Sequence, residues 1–335
     1  MPSSSFPLLR LPFLALNAII KKIGNKELIL LSLCSNRMHN VVKHFRNKSK
    51  KLSIGLFWNR NILIEIHDET RSSVYITVKT LPEGHLAGWK TDRIGGKLAY
   101  FQEYQNHFIS NWEDVMYGTK ALVEYMSHLF DVKVESVGFE ENSVWLMDFV
   151  EELQGPGNYT TYIREVNENR LTDEQFRHLL LDLNPSSLYI HQIPTHVFRI
   201  EQFNKKYDRL TLFEGTWITI ENLCQLDCIE LVLSDKQKLT TFEMNRFLMH
   251  VLTGGAPRLK FFRGRVQSSN ENLILKGIQK LLTVIPGKDQ FRRDHGNWSF
   301  ERKMNRGVDS VSVSINCSGL HFFGGITVSI EKNDD

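Results

Sequence analysis

The stretch Leu8–Phe45, LLRLPFLALNAIIKKIGNKELILLSLCSNRMHNVVKHF, decides how the chain is read. Three short helices are legible in it. Pro12 suits a first helical turn, where its missing N–H has no intrahelical acceptor to lose. Leu16, Ile19, Ile20 and Ile23 then recur at i, i+3, i+4 and i+7, a helical stripe. Gly24 stops that helix and Asn25 is placed to cap the next. Around the second helix Leu28, Ile29, Leu30, Leu31 and Leu33 point in almost every direction, and Met38, Val41, Val42 and Phe45 restore one stripe on the third. A helix that is apolar all round must be covered on more than one side. Two neighbours in a bundle of about 40 residues do not supply that cover, and each uncovered leucine forgoes roughly 1.5–3 kcal/mol of burial. Either the rest of the chain or a second protein covers the surplus. The expectation is a second protein.

The segments PLLRLPFLAL and ELILLSLCSNRM, followed by Val41-Val42, resemble an F-box in the form found in the large nematode set of F-box proteins. Leu11-Pro12, Glu27-Leu28 and Leu31–Ser35 carry the likeness, while Phe13 and Met38 stand where general F-boxes often place an acid and a tryptophan. The resemblance implies three helices that dock on a Skp-family adaptor and, through it, on a cullin-based ubiquitin ligase. It nominates Leu8, Leu11, Pro12, Leu28, Leu31 and Leu33 as the adaptor contacts.

With 335 residues, 41% hydrophobic and 24% charged, the chain has the composition of an ordinary globular protein of one to three domains. A net charge of +3 is too small to point to nucleic acid or an anionic membrane. No apolar run reaches the about 18 residues of a membrane span. Leu11–Ile20 is broken by Asn17 and ends in Lys21-Lys22, which is not the pattern of a secretory signal. Four cysteines, Cys34, Cys224, Cys228 and Cys317, suit free thiols in a reducing, intracellular compartment, cytoplasm or nucleus.

Beyond Phe45, Arg46–Lys51 reads as a basic, solvated linker. From Leu52 the period changes to two. Leu52–Leu56, Ile62–Ile66, Val74–Val78 and Lys97–Tyr104 read as strands of an antiparallel meander. Ser110-x-x-Glu113 has the spacing of a capping box opening a helix to about Phe130. Strands and helices then alternate. Strand centres fall near Val134, Tyr162, Tyr189, Thr211, Leu231 and Lys260, with helical stretches at Ser143–Leu153, Thr172–Leu183, Thr219–Leu226 and Thr240–Leu252. Thr172-x-x-Gln175 and Thr240-x-x-Glu243 are further capping boxes. The spacing is close to the period of leucine-rich repeats, about 20–29 residues with one strand each, although the Leu-x-x-Leu-x-Leu-x-x-Asn signature is degenerate. Asn270–Ile285 reads as one more helix, and Ser310–Ile315 and Ile326–Ile330 as closing strands.

This middle region is similar to the type-2 F-box-associated domain of the same nematode proteins, over roughly residues 155–265, with Trp217-Ile218-Thr219 and Leu226-Asp227-Cys228 fitting best. The expected class is therefore α+β: an F-box-like three-helix bundle at 1–47, then a substrate-recognition domain at 48–335. Within the latter, 52–130 holds the β-meander and a helix, 131–265 degenerate leucine-rich-repeat-like αβ units, and 266–335 a helix and strands. In a Leu-x-Leu strand the leucines face inward and the intervening residues face the open sheet. That nominates Tyr189, Thr211, Glu230, Val232, Lys260 and Phe262 as contacts to a target protein, aromatics being favoured anchors.

Nothing in the sequence supports catalysis, a metal or a cofactor. Cys224 and Cys228 have no second cysteine pair to complete a zinc site. His67-Asp68-Glu69 reads as a turn, and no nucleophile elbow, zinc-protease helix or phosphate loop occurs. The expectation is a non-catalytic substrate receptor of a Skp–cullin–F-box ligase, with an unidentified target. A repeat-type interaction scaffold with no ligase role is the alternative. A glycan-binding module, with Trp58, Trp89 and Trp112 as an exposed platform, is a third.

Overall fold

The computed structural model describes residues 8–48, 51–70, 72–82, 89–105, 107–139, 143–164, 170–192, 194–213, 215–233, 238–267, 271–274, 276–278, 292–294, 297–306, 309–320 and 323–332. It divides into two compact units, residues 1–139 with 145–155, and residues 140–144 with 156–335.

The first unit opens with a 3-10 turn, Leu8–Arg10, and three helices: α1 (Phe13–Lys22), α2 (Asn25–Leu33) and α3 (Asn36–Phe45). Gly24, not Asn25, occupies the cap of α2. Ser35 caps α3 by accepting from the Met38 N–H. Strands β1 (Leu52–Asn59), β2 (Asn61–Asp68), β3 (Ser73–Thr80), β4 (Lys90–Ile94), β5 (Lys97–Tyr104) and β6 (His107–Trp112) follow, then α4 (Val115–Phe130), β7 (Val134–Phe139) and α5 (Trp145–Gln154). Their lateral order is β4-β5-β6-β3-β2-β1-β7. The meander holds for β1 to β3. It then breaks, because the β4–β5 hairpin carries the chain outward and returns β6 parallel to β3. A second parallel contact, β7 on β1, follows the crossover through α4.

Alternation buries one face of this sheet: Ile54, Leu56, Ile62, Ile64, Ile66, Val74, Ile76 and Val78 are all inside. Helix α4 lies against β3 and β6 and contributes Leu122, Met126, Leu129 and Phe130 to the same core. Its cap is Asp114, which accepts from the Tyr117 N–H. Ser110 lies in β6 instead and accepts from Trp112 Nε1 at 2.7 Å, so the expected capping box there is not formed. Gly118 brings α4 close to the sheet, since a Cβ at this position would fall 2.3 Å from the Trp112 ring.

The second unit begins at β8 (Thr160–Ile163), followed by α6 (Asp173–Arg177), which runs on as a π turn over His178–Asp182. Next come β9 (Ser187–Ile190), β10 (Lys206–Leu212), α7 (Ile220–Gln225), β11 (Asp227–Leu233), β12 (Lys238–Leu239), α8 (Thr241–Leu252) and β13 (Phe261–Val266). Both expected capping boxes form, at Thr172 and Thr240, and a third joins Thr219 to Asn222. Strands β8, β9, β10, β11 and β13 lie side by side in that order, all parallel. The short β12 adds to the far end of β13. After α9 (Glu271–Ile274), β14 (Arg292–Asp294), β15 (Asn297–Arg306), β16 (Asp309–Leu320) and β17 (Phe323–Lys332) continue the sheet antiparallel, in the order β13-β17-β16-β15-β14. Of the helix expected at Asn270–Ile285, the described part is α9 and a turn to residue 278; the rest lies outside the described residues.

Burial along the parallel strands follows one rhythm. Tyr207, Leu210 and Leu212 are inside, as are Cys228, Leu231 and Leu233, and Leu259 and Phe262 with Gly264. Pro185, Leu188 and Ile190 repeat it. Two residues separate the first buried position from the second, and one separates the second from the third. The cause at β10 is a bulge: the N–H groups of Asp208 and Arg209 both donate to the Ser186 carbonyl. A bulge re-aims the side chains on either side of it, which shifts the parity of everything that follows.

Candidate interaction surfaces

Two surfaces correspond to the residues singled out in the sequence. The first is formed by α1 to α3. The apolar ring of α2 is divided in two. Leu28, Ile29 and Ser32 turn inward, whereas Leu30, Leu31 and Leu33 stay half-buried. The inward side meets its own chain: Ser32 donates to the Ile29 carbonyl at 2.7 Å and accepts from the Tyr125 hydroxyl of α4 at 2.9 Å. Burial pushes the Tyr125 phenol up to about 12, so it stays a neutral donor. Part of the cover that the apolar second helix demanded thus comes from α4, not from a second protein.

This corrects one nominated adaptor contact. Leu28 is only 4% exposed and shares the wall of a small cavity with Arg46, Leu52 and Phe130. Leu8, Leu11, Leu31 and Leu33 are half-buried, and Pro12 is exposed. Two residues that the stripe analysis passed over are the most open: Phe13 at 61% and Leu14 at 77%. They lie off the Leu16–Ile20 stripe that faces the core, so being off-stripe and apolar was the available signal. Phe13 also meets Phe45 edge-on, with ring centroids 4.8 Å apart.

The junction with α4 carries two further contacts. His39 Nε2 of α3 and His128 Nδ1 of α4 lie 2.9 Å apart and share one hydrogen, their rings stacked. Arg46, expected in a solvated linker, is instead buried and donates from Nη2 to the Phe130 carbonyl. Its own burial lowers its pKa, an effect that Asp131 partly opposes.

The second surface is the open face of the parallel strands. Register places Tyr162, Tyr189, Thr211, Val232 and Arg263 in one lateral row. Ser187, Arg209, Glu230 and Phe261 form the row beside it. The Tyr162 and Tyr189 rings stack at 4.8 Å. Arg209 donates to the Tyr189 hydroxyl at 3.1 Å and to the Glu230 carboxylate. Those two bonds raise the Arg209 pKa further. Thr211 sits in the row but is only 6% exposed.

Phe262 is the second correction. It is fully buried against Phe247 of α8, with centroids 4.6 Å apart, and Phe261 and Arg263 face outward in its place. Two residues, Lys260 and Phe261, separate buried Leu259 from buried Phe262, where the sequence reading allowed one. Lys260 is exposed immediately before β13. The tryptophan platform does not form either. Trp112 is buried, and Trp58 packs edge-on against Trp145 at 5.9 Å.

Among the described residues no three His, Cys, Asp or Glu side chains converge to hold a metal, and no helix is long and apolar enough to cross a membrane. Cys34, Cys224 and Cys228 are free thiols, and burial raises the pKa of the latter two.

Comparison with protein-family models finds two matches: an F-box domain over residues 8–50 and an F-box-associated domain over residues 200–263. The first covers α1 to α3, and the second runs from before β10 into the first half of β13. No curated protein and no solved structure matches the chain. The order of the two matches is the one that the sequence resemblance implies, and the chain carries an F-box followed by an F-box-associated region, the architecture of the nematode F-box proteins.

Proposed function

We propose that the chain is the substrate-recognition subunit of a Skp–cullin–F-box ubiquitin ligase, working inside the cell. Its N-terminal helices hold the adaptor, and the open face of its parallel strands holds a target protein. The observation that carries this reading is the coincidence of the F-box match with an uncovered apolar patch on α1, where Pro12, Phe13 and Leu14 stand exposed. In this reading the chain performs no chemistry. By linking target to ligase it raises the effective concentration of target lysines near the charged enzyme. The i, i+3, i+5 burial along the parallel strands supports leucine-rich-repeat-like units as the scaffold of the target face.

The test is a pull-down of a purified Skp adaptor. Leu11→Ala with Pro12→Ala, and separately Phe13→Ala with Leu14→Ala, are expected to abolish or strongly weaken capture. Capture unaltered by both pairs would sink the adaptor assignment. Substitution is a cleaner probe than deletion, because α2 and α3 also cover part of α4.

The same burial favours a second reading, an interaction scaffold whose N-terminal helices act as a cap on their own sheet. It predicts no adaptor capture by the unaltered chain.

A further inference from the structure

The charges on the parallel strands are unevenly matched. Every acid in β8 to β13 has an arginine: Glu230 is bound by Arg209, and Asp208 and Asp227 are both met by Arg258, at 2.7 and 3.5 Å. The cations outnumber them. Arg263 and Lys260 are exposed, and neither has an ion-pair partner among the described residues. Register puts Val232 directly on one side of Arg263 and Thr327 on the other, and the nearest acid of β11, Glu230, lies two residues away and is bound by Arg209. At the opposite end of the same row stands the Tyr162–Tyr189 stack, its polar edge occupied by Arg209. The face is therefore aromatic at β8 and β9, neutralised at its centre and positive at β13.

We propose that this face takes an extended acidic segment of the target protein, running across the strands. One apolar or aromatic side chain of the segment lies over Tyr162 and Tyr189, and its Asp or Glu side chains lie beside Arg263 and Lys260. The inference rests on the receptor reading above and names the chemistry of its target. The dimensions agree. Four strand spacings from β8 to β13 come to about 19 Å, which about six residues of extended chain cover. A nucleic-acid backbone would bring phosphates along the whole row, whereas the unpaired positive charge is confined to the β13 end and the centre is neutralised by the Arg209–Glu230 pair. An acidic peptide with an apolar lead matches that division. Charge at the rim also steers encounter, so association should slow as salt rises.

The experiment is a selection of random twelve-residue peptides displayed against the full chain, run in parallel on Lys260→Glu/Arg263→Glu and on Tyr162→Ala/Tyr189→Ala. All four side chains are at least partly exposed, so the fold should survive, which a thermal melt checks. Binders of the unaltered chain are expected to be rich in Asp and Glu about four to six residues from an aromatic or large apolar residue. The charge-reversed variant should lose about tenfold in affinity for those peptides and select Lys and Arg instead. The tyrosine variant should keep the acidic preference and lose the aromatic one. Peptides without acidic enrichment, an unchanged preference after charge reversal, or displacement of selected peptides by a single-stranded oligonucleotide would each overturn the proposal. Adaptor capture is measured on the same preparations. Capture without acidic selectivity refutes this inference alone, whereas failed capture by the unaltered chain refutes the receptor reading.

Discussion

His39 ties stability to pH, although its ring is nearly out of solvent. Burial first, then His128 and Lys43, lower its pKa from 6.5, and burial with Lys79 does the same to His107. The unfolded chain therefore binds protons near pH 6.5 that the folded chain refuses until a lower pH. Stability is complete above the unfolded value and is lost as pH falls below it toward the lowered folded value. Urea midpoints measured from about pH 7.5 to about pH 5.5 should fall, and His39→Phe, which keeps a ring beside Tyr125, should flatten part of that slope. A slope indifferent to the substitution would show that the His39–His128 contact is not the titrating element. This pairing was not legible in the sequence, because the two histidines are 89 positions apart and only folding brings them together. Phe13 and Leu14 were legible as apolar residues off the Leu16–Ile20 stripe, which marks the face turned to the core and, by difference, the one left open.

At the scale of single elements, β13 shows what a shift of one residue does. Phe262 and Phe261 are adjacent and chemically identical, yet one fills the space under α8 and the other faces outward. Phe262→Ala should destabilise the chain by about 3–5 kcal/mol, as loss of a buried phenylalanine does. Phe261→Ala should cost a small fraction of that. Chemical denaturation of the two variants separates them, and equal losses would contradict the register. The sequence did reveal most elements here. Capping boxes at Thr172 and Thr240 located α6 and α8, because a side chain and a backbone three residues away suffice to make them. Ser110-x-x-Glu113 misled because Ser110 belongs to a strand, where Trp112 takes its hydroxyl, while Asp114 caps α4. The shift of parity did leave a mark, the x-x then x spacing of Tyr207, Leu210 and Leu212 and of Cys228, Leu231 and Leu233, whereas the bulge behind it is a property of two neighbouring backbones.

For the molecule as a whole, the order of modules was readable while their mutual cover was not. The F-box and F-box-associated segments stand where the resemblance placed them. The first compact unit nevertheless holds the three helices together with seven strands, where the sequence divides at residue 47. The physical cause is the shared junction, in which Tyr125, His128 and the Phe130 carbonyl of α4 bind Ser32, His39 and Arg46. Removing residues 1–47 should therefore lower the thermal midpoint of the first unit and open α4 to proteolysis. An unchanged melt and digestion pattern would mean that the helices are carried as an independent module.

The lateral rows of the parallel sheet have a consequence for how such a chain diversifies. Neighbouring positions in a row come from strands 21 to 31 residues apart, as at Tyr189, Thr211, Val232 and Arg263. Tyr189, Val232 and Arg263 can each be rewritten by its own codon while the buried residues on either side stay as they are. The face behaves as a short line of independent letters set on a constant support. A lineage that duplicates such a gene can spell a new recognition surface one strand at a time, without refolding the protein that displays it.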